Sequence, residues 1–185
     1  MLFALATLPP ILVIWIIYKA DKYEKEPINQ IIRVFLYGSL TIIPILCIAS
    51  IRDPLYDSGY LESIVNLTGG GVIGSNEMSI FLYAFFGVAL VEEYFKYLVL
   101  TKYIYNKPDF NEPMDGIVYG VTASMGFAFV ENLLYVYYYY SDVAFTTAIS
   151  RIFSAIPAHA LMGVLMGYYV GKAKFSSSQE KRLLF

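Results

Sequence analysis

Glu92, Glu93, Glu131 and His159 stand in stretches apolar enough to cross a lipid bilayer, and their side chains are of the types that activate water. Glu92 and Glu93 break the apolar run 81–91 and are followed by Tyr94, Phe95 and Lys96. One charge at the centre of a membrane helix costs roughly 2.5–3.5 kcal/mol on insertion scales. The three charges together cost on the order of 9 kcal/mol, while the apolar residues around them contribute about 4–7 kcal/mol. Such a helix needs its charges neutralised, paired or hydrated, which marks a site inside the membrane. A carboxylate there can serve as a general base. A neutral imidazole can hold a metal, and a protonated one can stabilise an oxyanion. Zinc would suit His159 and Glu131 with Glu93 or Glu92 as a third ligand, leaving the other glutamate as base. The single histidine rules out an HExxH pair, and no GxSxG is present for it to serve.

The elements that must carry these groups are helices. The chain has 185 residues, 58% apolar and only 15% charged, against about 25% charged in soluble domains. An all-α, polytopic membrane protein follows, a compact bundle of about five transmembrane helices. The predicted spans are 2–18, 28–51, 78–103, 114–138 and 145–170. Pro9 and Pro10 should kink the first span or delay its start, and Pro44 and Pro157 should bend the second and fifth. Arg52–Asn76 reads as the longest polar connection, with a short interfacial helix at Leu61–Val65 and a flexible glycine run at Gly69–Gly71. Residues 1–175 read as one transmembrane helical domain and 176–185 as a basic, disordered tail. Cys47 reads as a packed, unreactive side chain, Met162 and Met166 as packing, and Tyr137–Tyr140 as an interfacial aromatic belt. The net charge of −2 argues against a nucleic-acid partner.

Lysine and arginine set the orientation. The connection after the first span, the one after the third and the C-terminal tail are the basic ones, whereas the remaining two hold Arg52 and Arg151 alone. Basic loops stay cytoplasmic, so the N-terminus is predicted outside and the C-terminus inside. At about 1.5 Å per residue, the four candidate groups fall in the central or outer half of the hydrocarbon. Their faces agree as well. Gly116, Gly120, Ser124, Phe127 and Glu131 follow one ridge of the fourth span, and His159, Gly163, Gly167 and Gly171 one ridge of the fifth. Small residues at that spacing let helices approach closely. Glu92 and Glu93 differ by about 100° around their helix, and Glu92 stands one turn before Lys96, so a division of labour is expected.

At these residues the sequence resembles the PrsW family of intramembrane proteases, within the wider group of CAAX prenyl-proteases and abortive-infection proteins. Glu92–Glu93–Tyr94–Phe95–Lys96 matches its EExxK motif, Phe127–Ala128–Phe129–Val130–Glu131 its FxxxE motif, with Asn132 following, and His159–Gly163 its histidine motif. Asp21–Pro27 and Met114–Gly120 also look like the family. Gly163 departs from the polar residue that the wider group often has there, and Glu131 stands where the prenyl-protease branch has histidine. The resemblance implies a multi-pass protease of the bacterial cell membrane. It would make the first cut in a membrane-anchored anti-sigma factor, releasing a sigma factor for the envelope-stress or antimicrobial-peptide response. It implies Glu92, Glu93, Glu131 and His159 as catalytic, with Lys96, Phe127 and Asn132 supporting. If a metal such as zinc is bound, His159, Glu131 and Glu93 would hold it. Two other classes stay open on the residues alone. A transporter or proton-coupled channel also uses buried Glu and His, although no internal repeat is visible. A non-catalytic scaffold would use them only to fix helix packing.

Overall fold

The computed structural model describes residues 1–22, 24–57 and 75–176. Among them the regular structure is helical throughout: α1 (Leu2–Ala20), α2 (Ile28–Leu40), α3 (Ile42–Asp57), α4 (Ser75–Leu82), α5 (Leu90–Leu98), α6 (Pro113–Leu134), α7 (Ala144–Phe153) and α8 (Ala155–Phe175). Wide π turns join α4 to α5 at Tyr83–Ala89 and extend α5 over Val99–Ile104 and α6 over Tyr135–Tyr139. Five continuous or nearly continuous helical stretches are long and apolar enough to cross a membrane: Leu2–Ala20, Ile28–Pro54, Glu77–Ile104, Pro113–Tyr139 and Ser141–Phe175. The five-span expectation holds. The expected interfacial helix at Leu61–Val65, the glycine run and most of the tail (177–185) lie outside the described residues.

Two prolines punctuate the spans by one rule. A proline lacks the N–H that would bond the carbonyl four residues earlier, and its ring crowds that carbonyl. Four residues before Pro44 is Leu40, where α2 ends, and four before Pro157 is Phe153, where α7 ends. One residue, Thr41 or Ser154, then intervenes before the helix resumes. At the first break the Thr41 hydroxyl donates to the Gly38 carbonyl at 2.6 Å. Pro9 and Pro10 act differently: α1 begins at Leu2, ahead of both, so the delayed start does not occur.

Contacts gather into two units, Met1–Ile42 with Lys96–Phe185, and Ile43–Phe95. The first is built around α6. Every residue from Val118 to Ala128 is buried, on all sides of the helix, as expected for a helix enclosed by others. α8, α2 and α1 surround it. The small residues meet as their spacing predicts. A methyl group added to Gly120 would overlap the Gly163 carbonyl, and one added to Gly167 the Gly116 carbonyl, so α6 and α8 touch backbone to backbone. On the other side, Gly38 of α2 faces Ala123, Gly126 faces Phe35, and the Ser39 hydroxyl donates to the Gly126 carbonyl at 2.9 Å. Val34, Leu100, Ile104, Phe110, Val118 and Tyr119 form the largest core cluster.

In the second unit, α3 continues through Arg52 to Pro54 and beyond, so Arg52 is a helix residue rather than the start of a loop. Its guanidinium donates to the Gly87 carbonyl at 2.6 Å within the π turn, to Asp53 at 2.7 Å, and lies 4.9 Å from the Tyr83 ring. Tyr83 in turn donates to Asp53 at 2.8 Å. Cys47 is exposed on the surface of α3 and not packed as expected. In a stretch apolar enough to cross a membrane, a small thiol need not be buried in protein.

Candidate active site

α5 brings Lys96 into the first unit with no exposed surface. Buried lysine needs an acceptor and a polarisable lining, and both are present. Its Nζ lies 3.0 Å from His159 Nδ1 and 4.2 Å over the ring of Phe127. The Phe127 and His159 rings meet edge to face, centroids 5.4 Å apart. Ser154 and Pro157 start α8 just ahead of the histidine, and α8's glycine ridge seats it against α6.

The other imidazole nitrogen, Nε2, lies 3.0 Å from Glu131 Oε2. The same oxygen accepts a hydrogen bond from Arg151 Nη2. Arg151 Nε donates to Asn132 Oδ1 at 2.6 Å, and Asn132 Nδ2 donates to the Ala6 carbonyl at 3.0 Å. The Arg151 guanidinium also covers the Tyr135 ring at 4.0 Å. One chain of polar contacts thus runs from Lys96 through His159, Glu131 and Arg151 to Asn132 and α1. Lysine in its charged form only donates, so Nδ1 then accepts, and the imidazole proton sits on Nε2, facing Glu131. The set is therefore a continuous series of polar contacts in which one carboxylate is held between an imidazole and a guanidinium.

Of the residues expected in the site, the structure joins Lys96, Phe127, Glu131, Asn132 and His159 directly. Glu92 and Glu93 belong to the second unit, half-buried in the first turn of α5. Arg151 was missed. Counting it among loop charges placed it at the surface, whereas it lies in the last turn of α7 and is 9% exposed. The signal was present: Arg151 falls inside an apolar stretch of 35 residues, too long for one straight crossing, which should have drawn the same question as Glu131. A groove of about 360 Å³ in this unit opens between Tyr97–Tyr105 and Met166–Ala173 and includes none of these polar side chains.

The donor chemistry suits a metal. An imidazole nitrogen and a carboxylate oxygen converge, the pairing that zinc accepts readily.

The model of the PrsW family of intramembrane metalloproteases matches residues 26–185, most of the chain and all three motifs. The chain belongs to that family. Proteins called Protease PrsW resemble it along nearly its whole length. The one from Geobacillus kaustophilus is 36% identical over 168 residues, which is 91% of this chain and 64% of the relative. That from Oceanobacillus iheyensis is 37% identical over 95% of this chain and 71% of its own. That from Bacillus subtilis is 32% identical over 94% and 69%. The chain spans about two thirds of the length of these relatives. No solved structure matches it. Family membership and five candidate spans make it a multi-pass membrane protein from a family of intramembrane proteases.

Proposed function

We propose that this chain hydrolyses a peptide bond of a membrane-anchored protein, using water activated by Glu and His side chains. The observation that carries this reading is the Lys96–His159–Glu131–Arg151 series, titratable groups in mutual contact on apolar helices. Membership of a protease family supports it and argues against the transporter and scaffold readings. Catalytic roles are proposed for Glu92, Glu93, Glu131 and His159. The helical spacing of Glu92 and Lys96 supports the inclusion of the first two.

The residues divide the work by chemistry. Lys96 fixes the imidazole ring through Nδ1, with Phe127 shielding the contact from water; ligation of a metal by Nε2 would require the tautomer with its proton on Nδ1 and a neutral Lys96 accepting it. Arg151 and Asn132 fix Glu131. One glutamate of the Glu92–Glu93 pair takes the proton of the attacking water and returns it to the leaving amine. Glu131, His159 and one glutamate of that pair, Glu93 in our assignment, are the ligands we propose for zinc. When bound there, the ion lowers the pKa of water and polarises the scissile carbonyl.

The proposed substrate is a membrane-anchored anti-sigma factor, cut first by this enzyme on its extracytoplasmic side so that a sigma factor is later released. Alternating basic loops support an N-terminus outside and a C-terminus inside. The test is co-expression with a tagged, membrane-tethered anti-sigma factor. Cleavage should disappear in Glu92→Gln, Glu93→Gln, Glu131→Gln and His159→Ala while the proteins still fold. Cleavage surviving in all four variants would remove the hydrolase reading, and ion flux lost in them without any cleavage by the parent would favour a transporter.

A further inference from the structure

A second cluster of acids lies where α1 ends and α6 begins. Carboxylate oxygens of Asp21, Glu112 and Asp115 come within 4.8 Å of one another. Asp21 is 1% exposed and Asp115 wholly buried. Both oxygens of Asp21, Oδ1 of Asp115 and Oε1 of Glu112 are buried with no hydrogen-bond partner among the described residues. Unmet acceptors of that kind are rare, because a buried carboxylate is normally paired or bound to a metal. Asp115 divides its two oxygens. Its Oδ2 accepts from the backbone N–H groups of Asn111 and Glu112 at 2.7 and 2.8 Å, which completes the helix start, and only Oδ1 is left facing the other acids. Glu26 is a fourth acid at the edge, accepting from the Tyr119 hydroxyl, and in its protonated form it donates to Asp115. Two lysines stand nearby, both bonded to backbone carbonyls, and the charge of Lys174 acts on Asp115. Lys25 donates to the carbonyls of Tyr18 and Asp21, and Lys174 to those of Tyr105 and Phe110.

We infer that Asp21, Glu112 and Asp115 form a binding site for a hard divalent cation, Mg²⁺ or Ca²⁺, separate from the candidate active site. The donors are oxygen only, which suits these ions and not zinc or copper. Oxygens bound to Ca²⁺ at 2.3–2.6 Å lie up to about 5 Å apart across the ion, so the observed spacing needs little adjustment; Mg²⁺ at 2.0–2.1 Å draws them in slightly. Asp115 and Glu131 are sixteen residues apart on α6, about 24 Å along its axis. The site therefore clamps the segment after α1 onto the start of the helix that carries Glu131, and it does not depend on the peptidase reading.

The experiment uses the whole chain purified in detergent micelles, stripped with chelator, and melted by circular dichroism at matched ionic strength. Adding MgCl₂ or CaCl₂ alone should raise Tm by several degrees, saturably. Asp21→Asn and Glu112→Gln should each weaken the apparent Kd at least about tenfold. Glu131→Gln and His159→Ala should keep the full response, which separates this site from the active-site region. No response to either ion, an undiminished response in both Asp21→Asn and Glu112→Gln, or a response lost with Glu131→Gln would each overturn the inference. Should Asp21→Asn fail to fold, Glu112→Gln, whose residue is only half-buried, decides alone.

Discussion

Glu131 receives two cationic or potentially cationic partners on a single oxygen, and that crowding defines how it behaves. A buried carboxylate stripped of its guanidinium keeps its desolvation cost and loses most of the compensation. Arg151→Met is therefore expected to destabilise the protein by about 3–5 kcal/mol. The same change made on a Glu131→Gln background should cost at least about 1 kcal/mol less, because the neutral amide no longer needs the arginine. Denaturant titration of the four purified proteins closes this cycle; equal costs on both backgrounds would mean that the pair is not coupled. The sequence made most of this residue set legible. Lys96, Glu131 and His159 are legible because an ionisable group inside an apolar run is costly wherever the chain folds, whereas supporting roles for Phe127 and Asn132 come from the family resemblance. Arg151 escaped because a charge near the end of an apolar stretch reads equally well as a loop residue, and only the break at Ser154 shows that it is still inside.

At the scale of elements, the glycine ridges decide how α6 and α8 hold the polar series. Glu131 and His159 can bond only if their helices approach as closely as bare backbones allow. Valine at Gly167 would drive two methyl groups into the Gly116 carbonyl, a backbone atom that cannot turn aside. We expect Gly167→Val to cost at least about 3 kcal/mol and to abolish activity through loss of the His159–Glu131 contact. Leu165→Val, two residues earlier on the exposed face of α8, should stay within about 0.5 kcal/mol of the parent. Comparable losses in both variants, by unfolding midpoint and cleavage assay, would show that the ridge has no special role. Helix existence and small-residue facing were legible because both follow from local spacing. The π turns at Tyr83–Ala89 and Val99–Ile104 were not, since widening a turn leaves the hydropathy of the run unchanged.

For the molecule as a whole, the hardest features to read were those made by distant segments meeting. Asp21, Glu26 and Glu112 look like ordinary acids of polar connections and Asp115 like an acid at the edge of the fourth span, and nothing local announces that residues some ninety positions apart will share one buried space. Their meeting should govern how stability responds to pH. Burial first, and then the hydrogen bond it donates to Asp115, pushes Glu26 up from 4.5 to about 9, against a smaller opposing effect of Tyr119. Burial and the charges of Asp115, Asp21 and Glu24 push Glu112 upward as well. On Glu26 the folded protein keeps a proton that the unfolded chain releases above pH 4.5, so folding takes up a proton between there and about 9, and Glu112 acts in the same direction. The stabilisation is complete below pH 4.5 and is lost as pH rises toward 9. Chelator-treated protein should therefore show a Tm that falls between pH 5 and pH 9. Glu26→Gln, which preserves an acceptor for Tyr119 and a donor for Asp115 but cannot ionise, should flatten that fall. A melting profile that rises over the same range, or a Glu26→Gln profile parallel to the parent, would show that the proton is not held there.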